Sequence, residues 1–578
     1  MRRLFAFYPL ALLAACATTP RQVEVPAGPR EVQILAINDF HGNLEPPSLT
    51  YEGSKGIVPT GGAAYLATAL KEVRTASSIT VAAGDLISAS PLVSSLFYDE
   101  PTIKALSDSG LGLASVGNHE FDRGPDELKR MQAGGCREHK AGDTRQSCKL
   151  EPFAGAKFQY LAANVIDRAG QTFFPSTALR DLGGVRIGFI GMTLKETGTL
   201  VSPDGVKGLA FTDEAATANA LVPYLRSAGA RAIVLLIHQG GSTTGKFDDP
   251  TCPGLGGDIL PIIEKLDPAI QLVVSGHTHN AYICSLPTAG GQRLLTSAGK
   301  YGALVTDIRL LFGADGSLTA QRAEFLPVQG EAIDNARTKA PLNPNYRVFP
   351  ADPQVAAMVQ RYKAEAAIVA NRPVGTLLAP LAKGDVSSES QASSLIADAQ
   401  LYVARDRAKG AAELSFMNNG GARTDLIPGQ GGVVTYGQIF AMQPFANNLV
   451  TITLTGADIK ALLEQQFDSG LNSVTRPNLL MPSANVRFSF DRSRAAGQRI
   501  VEVQVDGKLL DPARSYRVTV NNFLASGGDN FTVLKRGSNP VDGGLDLDAT
   551  EAYLKTNPPV PQPGRVVDLT PKTWAPGK

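Results

Sequence analysis

The sequence of 578 residues has almost no net charge, few histidines and a single long apolar run, which lies at its N-terminus. Its 55 lysines and arginines balance 54 aspartates and glutamates, and no long basic run occurs. This balance argues against polymeric nucleic acid as a partner. No later stretch is long and apolar enough to span a bilayer, and no internal repeat is evident. The chain is too long for one hydrophobic core, which predicts two domains and a leader.

The N-terminus has the features of an export signal. Arg2 and Arg3 precede the apolar stretch Leu4–Ala15, which suits the core of a signal peptide and is too short to cross a membrane. The stretch ends in Leu-Ala-Ala-Cys16, which resembles a bacterial lipobox whose cysteine is acylated. The next residue is Ala rather than Asp, which by resemblance to Gram-negative sorting signals favours the outer membrane. We predict an exported protein that faces the periplasm and contacts the membrane only through this lipid. The alternative is an ordinary cleaved signal with a chance cysteine.

Four further cysteines remain, and none forms a CxxC pair or lies at one of the strand-end motifs described below. Zinc ligation is therefore the less favoured interpretation. An exported protein meets an oxidising compartment, where disulfides persist. Order and proximity favour the pairs Cys136–Cys148 and Cys252–Cys284, although four cysteines allow three pairings.

Five of the six histidines follow short apolar runs, and oxygen ligands or glycines accompany them. The runs are Val32–Asn38, Ile79–Ala83, Leu113–Gly117, Ala232–Ile237 and Gln271–Ser275. Runs of this length, rich in β-branched residues, predict buried strands of an α/β sheet. Ligands gather outside the carboxyl ends of such strands. The groups that follow the runs are therefore expected on one rim: Asp39, His41, Asp85, Asn118, His119, Asp122, His238, His277 and His279.

The spacing of these residues favours a site for two metal ions. Asp39 and His41 are separated by one residue, so both can face the same cation. Asp85 follows Gly84, which has no side chain to crowd it, and this suits a carboxylate that bridges two metal ions. Two-metal sites suit phosphoryl transfer, because two cations stabilise the charge on the phosphoryl oxygens. Taken alone, an Asp after a strand is usually a turn or cap residue, and a lone His satisfies a local hydrogen bond. The five strand ends together carry the prediction. The sixth histidine, His139, is expected at the surface.

The elements alternate as in a layered α/β protein. We expect a signal peptide at 1–16, a tether at 17–30, a first domain at 31–330, a linker at 331–371, a second domain at 372–570 and a tail at 571–578. In the first domain we expect helices at Gly62–Arg74, Asp126–Gln132, Asp213–Ser227 and Ile259–Leu266. The linker is expected to carry a helix at Pro353–Asn371, with apolar positions that include Ile368 and Val369. In the second domain we expect helices at Ser390–Asp406 and Gly456–Phe467, a hairpin at Leu449–Leu454, and strands at Val486–Phe490, Val501–Val505 and Tyr516–Asn521.

The ordered motifs resemble those of the calcineurin-like metallophosphoesterases. They read Asp-Phe-His-Gly-Asn from Asp39, Gly-Asp at Asp85, Asn-His-Glu-Phe-Asp from Asn118, then His238 and Gly-His-Thr-His from Gly276. The Asn-His-Glu-Phe-Asp form and the second domain narrow the resemblance to the 5′-nucleotidase / UDP-sugar hydrolase family. It implies layered sheets flanked by helices, joined through a helix to a smaller mixed α/β domain.

The resemblance also implies roles for the strand-end residues. One metal would be held by Asp39, His41, Asp85 and His279, and the other by Asp85, Asn118, His238 and His277. His119 would act on the transition state, oriented by Asp122, and a carboxylate three residues on suits that task independently. The two divalent ions would be Zn, Mn or Co.

Three stretches of the second domain resemble the substrate pocket of this family. Phe445 and Phe523 each lie among Asn and other polar loop residues, where a ring can stack on a base. An alternative is that each Phe packs in a loop core. Arg423 follows a glycine turn and suits phosphate or carboxylate. By resemblance, Asp529 contacts the ribose, and Asn418, Arg423 and Asn447 line the pocket.

One departure from the family concerns phosphate binding. Arginines often precede the helix at Ser390–Asp406, but this chain has Ser-Ser-Glu-Ser-Gln from Ser387. The resemblance implies hydrolysis of 5′-nucleotides by direct attack of water activated at the metals, while the departure leaves room for UDP-sugars. Alternatives are a 2′,3′-cyclic-nucleotide phosphodiesterase, a thiosulfohydrolase of the related branch, and a non-catalytic lipoprotein that binds nucleotide or metal. The oligomeric state is left open.

Overall fold

The computed structural model describes residues 28–139, 145–201, 205–334, 338–445 and 447–574. Cys16 and most of the predicted tether therefore lie outside the described residues. Within the described part of the chain, no helix combines the length and apolar character needed to cross a bilayer.

Two six-stranded sheets form the centre of the first domain. In spatial order, the first sheet contains Leu318–Pro327, Leu304–Phe312, Arg30–Ile37, Ser78–Ala83, Leu111–Ser115 and Gln159–Leu161. The second contains Ala281–Thr288, Gly291–Ala298, Ile270–Ser275, Ala232–His238, Val185–Thr193 and Thr177–Leu182. The strands formed by the predicted apolar runs pair in parallel within each sheet, as such continuous runs predict. Leu304–Phe312, also inside the first sheet, is antiparallel to both of its neighbours.

The two sheets stack face to face around a shared apolar core. Val32 and Val81 of the first sheet belong to the same buried cluster as Phe189 and Val234 of the second. Helices cover the two outer faces, with Leu66 and Ile103 among the buried residues of one cluster. The expected layered α/β class is therefore confirmed. The expected rim belongs to two stacked sheets, because the runs at 232–238 and 270–275 pair with each other and not with the first sheet.

The four predicted helices of this domain begin and end close to the expected positions, at Ala63–Val73, Pro125–Ala133, Glu214–Ser227 and Leu260–Lys265. Three further helices, which were not predicted, span Leu92–Ser95, Glu100–Asp108 and Thr197–Leu200. Short two-stranded ribbons pair Leu49–Gly53 with Gly56–Thr60, Val165–Asp167 with Leu209–Phe211, and Ile333–Asp334 with Lys339–Ala340.

The linker helix spans Pro353–Ala370 and packs on the first domain. Asp352 caps its start by accepting hydrogen bonds from the backbone N–H groups of Gln354 and Val355. The ring of Tyr362 lies 4.8 Å from that of Phe97, centroid to centroid. The buried stripe of the helix ends at Ala366, and the apolar Ile368 beyond it is 73% exposed.

The second domain contains a five-stranded and a four-stranded sheet. In spatial order these are Leu480–Pro482, Leu414–Asn418, Ser515–Asn521, Asn448–Thr455 and Ser538–Leu545, then Lys508–Leu509, Ile500–Val505, Val486–Phe490 and Val566–Asp568. Further ribbons pair Pro373–Thr376 with Val433–Thr435 and Asp468–Ser469 with Asn472–Ser473. The helices span Gln391–Ala404, Tyr436–Met442, Gly456–Glu464, Asn522–Ala525 and Asp546–Leu554.

The expected hairpin at Leu449–Leu454 is wrong. The segment is one continuous strand that pairs on one side with Ser515–Asn521 and on the other with Ser538–Leu545. Every residue of the segment pairs with a residue of the strand Ser515–Asn521, so the segment contains no turn.

Both disulfides are present in the predicted pairing, each with its two Cα atoms 5.5 Å apart. Cys136–Cys148 closes a segment that follows the helix Pro125–Ala133. Cys252–Cys284 ties a loop to the edge strand Ala281–Thr288.

Candidate active site

The seven residues predicted as metal ligands lie together where five strands end. Five of them have backbone φ angles in the left-handed region: Asp39, His41, Asp85, His277 and His279. Non-glycine residues rarely adopt this conformation, and it tends to collect at ligand-binding sites, where the surrounding structure holds it. The tight turns aim side chains from both sheets at one place.

A first group of ligand atoms comes from Asp39, His41 and His279. Nε2 of His41 lies 3.2 Å from Nε2 of His279, and Nε2 of His279 lies 3.4 Å from Oδ1 of Asp39. These atoms all lie within 4.8 Å of one another. Convergence of imidazole nitrogens with a carboxylate at this range fits a divalent cation.

A second group comes from Asp85, His238 and His277. Nε2 of His238 lies 3.0 Å from Oδ2 of Asp85, and Nε2 of His41 lies 3.6 Å from the same oxygen. Asp85 therefore stands between the two groups. Oδ1 of Asn118 lies 3.1 Å from both His238 Nε2 and His277 Nδ1.

Backbone carbonyls orient two of these histidines. Nδ1 of His41 donates to the carbonyl oxygen of Ser88 at 2.9 Å, and Nδ1 of His238 donates to that of Ala83 at 2.7 Å. Each ring then presents Nε2 to the cluster, as a metal ligand must. Burial and the charge of His238 lower the pKa of His277 to about 3, so this imidazole is neutral and able to ligate.

His119 lies beside the ligand groups and belongs to neither. Its Nδ1 is 2.8 Å from Oδ2 of Asp122, and its backbone N–H donates to Oδ1 of Asp85 at 2.9 Å. Burial lowers the pKa of His119, but the carboxylates of Asp122 and Asp85 raise it more, so it lies above its ordinary value. A ring held in this way can carry a proton toward a developing negative charge.

Two residues that support the cluster carry no predicted role. Glu120 is buried and accepts hydrogen bonds from the backbone N–H groups of Gly117, Asp85 and Leu86, at 2.6, 2.8 and 2.7 Å. Asn38 donates to Oδ2 of Asp39 at 2.7 Å. Glu120 stands inside the Asn-His-Glu-Phe-Asp motif, so its position was visible, but its partners were not.

A cavity of about 250 Å³ adjoins the cluster and joins both domains. The first domain contributes Asn118, His119, Asp122, Leu200, Val201 and His277. All six predicted substrate residues line the other side, with Gly420, Gly421, Asn521 and Asn522: Asn418, Arg423, Phe445, Asn447, Phe523 and Asp529. Sequence reasoning missed Leu200 and Val201, for which no local pattern offers a signal.

One ring contact crosses between the domains at this cavity, and two further contacts organise its second-domain wall. The ring of Phe445 stacks on that of His119, with centroids 5.7 Å apart and planes 12° from parallel. The guanidinium of Arg423 lies 5.7 Å from the centre of the Phe445 ring. Nearby, Asn418 donates from Nδ2 to Oδ2 of Asp529 at 2.8 Å.

Arg423 brings positive charge to the wall of the cavity. Burial and the charges of Lys383 and Arg423 lower the pKa of Lys300 to about 8. Glu389, the acid in the segment before Ser390, accepts hydrogen bonds from the backbone of Gly564 and Arg565 and does not line the cavity.

The layered fold and the paired Asp/His groups define a metallophosphoesterase type of hydrolase. A calcineurin-like phosphoesterase profile matches residues 32–281, and a 5′-nucleotidase C-terminal domain profile matches residues 373–536. The chain belongs to the 5′-nucleotidase family of metallophosphoesterases and is an enzyme of that class.

Three similar proteins illustrate the family. "Cell wall protein Lmo0130" of Listeria monocytogenes is 31% identical over 91% of this chain and 67% of its own. "Endonuclease YhcR" of Bacillus subtilis is 28% identical over 95% of this chain, which spans 42% of its length. The structure of a 5′-nucleotidase precursor from Thermus thermophilus superposes with a TM-score of 0.73 at 27% identity, over 93% of this chain and 99% of that one.

Proposed function

We propose that this protein releases phosphate from 5′-nucleotides by hydrolysis at a centre of two divalent metal ions. The observation that carries the proposal is the shared cavity. It brings the candidate ligands Asn118 and His277, together with His119, against three residues of the second domain: Phe445, Phe523 and Arg423. A site for phosphoester chemistry and a site suited to a flat, phosphorylated ligand therefore open into the same space.

Asp39, His41, Asp85 and His279 would hold one ion, and Asp85, Asn118, His238 and His277 the other. The donor set fits, since imidazole nitrogens, carboxylates and an amide oxygen suit Zn, Mn or Co. When bound, two such ions activate water and stabilise charge on the phosphoryl oxygens. Asp85 is the natural bridge, because its Oδ2 faces histidines of both groups.

His119 would stabilise the charge that develops during phosphoryl transfer and assist the leaving oxygen. Asp122 holds Nδ1 of the ring, so Nε2 is the nitrogen left to face the substrate. No phosphoenzyme is required, because the water attacks phosphorus directly.

The second domain would bind the nucleoside. Phe445 and Phe523 line one cavity and would stack on the base, while Asp529, held by Asn418, would contact the ribose. Arg423, which lines the cavity, would attract the phosphate chain. This positive charge supports monophosphates and also leaves UDP-sugars as substrates.

The two domains would move relative to each other during turnover. The linker helix Pro353–Ala370 packs on helices of the first domain and also contacts the second-domain helix Tyr436–Met442, so the natural hinge is this helix with its flanking loops. Residues 31–330 would keep metal and weak generic esterase activity when expressed alone, and would lose preference for nucleotides.

We also propose export and acylation at Cys16, followed by sorting to the outer membrane. The N-terminal pattern supports this, and a relative named as a cell wall protein is consistent with export. Labelling with radioactive palmitate should mark the wild type and not Cys16→Ser. An unlabelled wild-type protein in the periplasm would favour an ordinary cleaved signal.

A substrate panel tests the activity. Phosphate release should be fastest from AMP, measurable from UDP-glucose after a coupled phosphatase step, and abolished by EDTA. The panel includes 2′,3′-cyclic AMP, bis-p-nitrophenyl phosphate, thiosulfate esters and, because one relative is named an endonuclease, single-stranded DNA. Preference for any of these last four over AMP would contradict the proposal.

A further inference from the structure

Asp99 is a buried carboxylate outside the motifs that predict the active site, and it lies directly before the helix Glu100–Asp108. An Asp at this position ordinarily caps the helix by accepting hydrogen bonds from its first N–H groups. The side chain of Asp99 makes no such bond. Instead Oδ1 accepts from the hydroxyl of Ser94 at 2.6 Å, and Oδ2 accepts from two residues that lie behind the reacting centre, Ser88 and Arg123. The carboxylate therefore has a role other than capping.

The hydrogen bond from Ser88 leads to the candidate metal ligand His41. Oδ2 of Asp99 accepts from the backbone N–H of Ser88 at 3.1 Å, and the carbonyl oxygen of Ser88 accepts from Nδ1 of His41 at 2.9 Å. Ser88 and Ala89 have φ angles of 65° and 47°, in the left-handed region. This conformation costs energy in a residue other than glycine and persists only where the surrounding structure holds it. Asp99 thus fixes the strained residue that orients His41.

The hydrogen bond from Arg123 leads to His119. Nη1 of Arg123 donates to Oδ2 of Asp99 at 2.6 Å, and the side chain of Arg123 is 13% exposed. Arg123 directly follows Asp122, whose Oδ2 lies 2.8 Å from Nδ1 of His119. A guanidinium that is removed from solvent needs a counter-charge, so Asp99 fixes the side chain of Arg123 and, with it, the chain next to Asp122. Burial raises the pKa of Asp99, but the charge of Arg123 and hydrogen bonds from nearby hydroxyl groups lower it more, so the carboxylate is ionised and supplies that charge.

Both histidines depend on this support in the same way. The rings of His41 and His119 lie 5.1 Å apart, centroid to centroid, and each is held at Nδ1. In each ring Nε2 is then the nitrogen left for the metal or the substrate. Reaction rates are sensitive to such placement, since a displacement of about 1 Å can cost about a hundredfold in rate. One carboxylate oxygen therefore stands behind the supports of both a candidate ligand and the candidate acid.

We propose that Asp99 is a positioning residue for the reaction, which sets the orientation of His41 and His119 together. It acts on His41 through Ser88 and on His119 through Arg123. The inference rests on the proposed function and adds to it a residue that neither belongs to a ligand group nor lines the substrate cavity. A buried ion pair adds little net stability over apolar residues of the same size. Stability alone is therefore an insufficient account of Asp99 and Arg123.

The test compares phenyl phosphate with p-nitrophenyl phosphate, which differ in how readily the phenolate leaves. His119 assists the leaving oxygen, so a displaced ring should slow phenyl phosphate more, because p-nitrophenolate leaves with less help. We would measure kcat/KM for both esters and for AMP, using the full chain at saturating Mn²⁺. The readout is the ratio of the two esters within each protein, because that ratio is independent of the fraction of folded enzyme. Metal content after dialysis against a limiting concentration of EDTA reports on His41.

Three variants separate positioning from stability. Asp99→Asn keeps the shape of the side chain, and Asn tolerates a φ of 63°, but the charge opposite Arg123 is lost. The matched control is Asp398→Asn, because Asp398 forms a comparable buried ion pair with Arg565, at 2.8 Å in the second domain, and does not line the substrate cavity. Asp99→Asn/Arg123→Leu leaves neither charge of the pair uncompensated, and it covers a failure of the single variant to fold.

Asp99→Asn should lower the ratio of phenyl phosphate to p-nitrophenyl phosphate by about tenfold or more, and it should retain less metal than the wild type. The double variant should lower the ratio in the same way, and Asp398→Asn should change neither quantity even where its unfolding temperature falls. A wild-type ratio in Asp99→Asn, or in the double variant where the single one does not fold, would overturn the positioning role, as would an equal change in Asp398→Asn. An unaltered metal content in Asp99→Asn would overturn the joint control of His41 and His119. If the wild type hydrolyses AMP, these failures leave the proposed function standing, whereas inactivity of the wild type toward AMP would remove both.

Discussion

Replacement of Glu120 by Gln tests whether this buried carboxylate organises the candidate metal centre. Glu120 is 2% exposed and accepts three backbone hydrogen bonds, from Gly117, Asp85 and Leu86. Gly117 and Asp85 donate to one carboxylate oxygen, and Leu86 donates to the other. A Gln side chain has the same shape but only one oxygen, and its NH₂ group cannot accept. In either orientation of the amide, at least one buried N–H loses its partner.

The cost follows from that count. One unsatisfied buried donor costs about 1–3 kcal/mol, so Glu120→Gln should lower the free energy of unfolding by about this amount. Glu120→Ala removes all three acceptor contacts and should cost more than Gln. Because the N–H of Asp85 is one of the donors, the bridging position should also loosen, and the variant should retain metal more weakly.

Urea unfolding of the metal-free protein measures the first effect, through a lower midpoint at an unaltered slope. Metal analysis after dialysis measures the second. Glu324→Gln, an exposed Glu on the edge strand Leu318–Pro327, is the matched control and should change neither. The reasoning fails if Glu120→Gln unfolds at the wild-type urea concentration and keeps the wild-type metal content.

Four further predictions follow from the site and from one surface ion pair. Asp85→Asn should lose metal and activity together, and EDTA-treated wild type should recover with Mn²⁺, Co²⁺ or Zn²⁺; full turnover by metal-free protein contradicts this. His119→Gln should lower kcat by about 10²–10⁴-fold without changing the metal content, both measured in parallel with the wild type. Loss of a metal ion from this variant would show that His119 is a ligand. Phe523→Ala should raise the KM for AMP by about 5- to 150-fold, which corresponds to a loss of about 1–3 kcal/mol of stacking, and should leave the KM for p-nitrophenyl phosphate unchanged. An unaltered KM for AMP would contradict the stacking role. The fourth prediction concerns the ion pair between Glu551 and Arg372, whose hydrogen bonds lower the pKa of Glu551 from 4.5 to about 2. The stabilisation of the folded state by this ion pair should therefore be complete above about pH 4.5 and disappear as the pH falls through 2. Glu551→Gln should cost about 1–2 kcal/mol at neutral pH after allowance for solvent screening, and equal stabilities at pH 7 would contradict this.

Phe523 is the cleaner test of base stacking because Phe445 has a second contact. The ring of Phe445 lies against His119, so its loss would disturb the catalytic pair as well as the nucleoside. The sequence placed both rings in comparable loops and gave no basis for separating them.

Local pattern was sufficient for much of this protein. The apolar runs predicted the strands because consecutive buried residues with β-branched side chains have few other conformations open to them. The residues that follow those runs, from Asp39 to His279, lie together because parallel strands end on the same side of a sheet. The linker helix could be predicted from its apolar spacing, since that pattern involves only neighbours in the chain.

Only the tertiary structure decided what depends on partners distant in sequence. The rim belongs to two sheets, and Leu449–Leu454 is a central strand. Both facts depend on which strands pair with each other, and an apolar run has the same sequence pattern whichever strand it pairs with. The sequence shows that Glu120 lies in the Asn-His-Glu-Phe-Asp motif, but not that it accepts hydrogen bonds from the N–H groups of Asp85 and Leu86, 35 and 34 positions earlier. The substrate cavity likewise exists only where the two domains meet, because side chains from both domains line it.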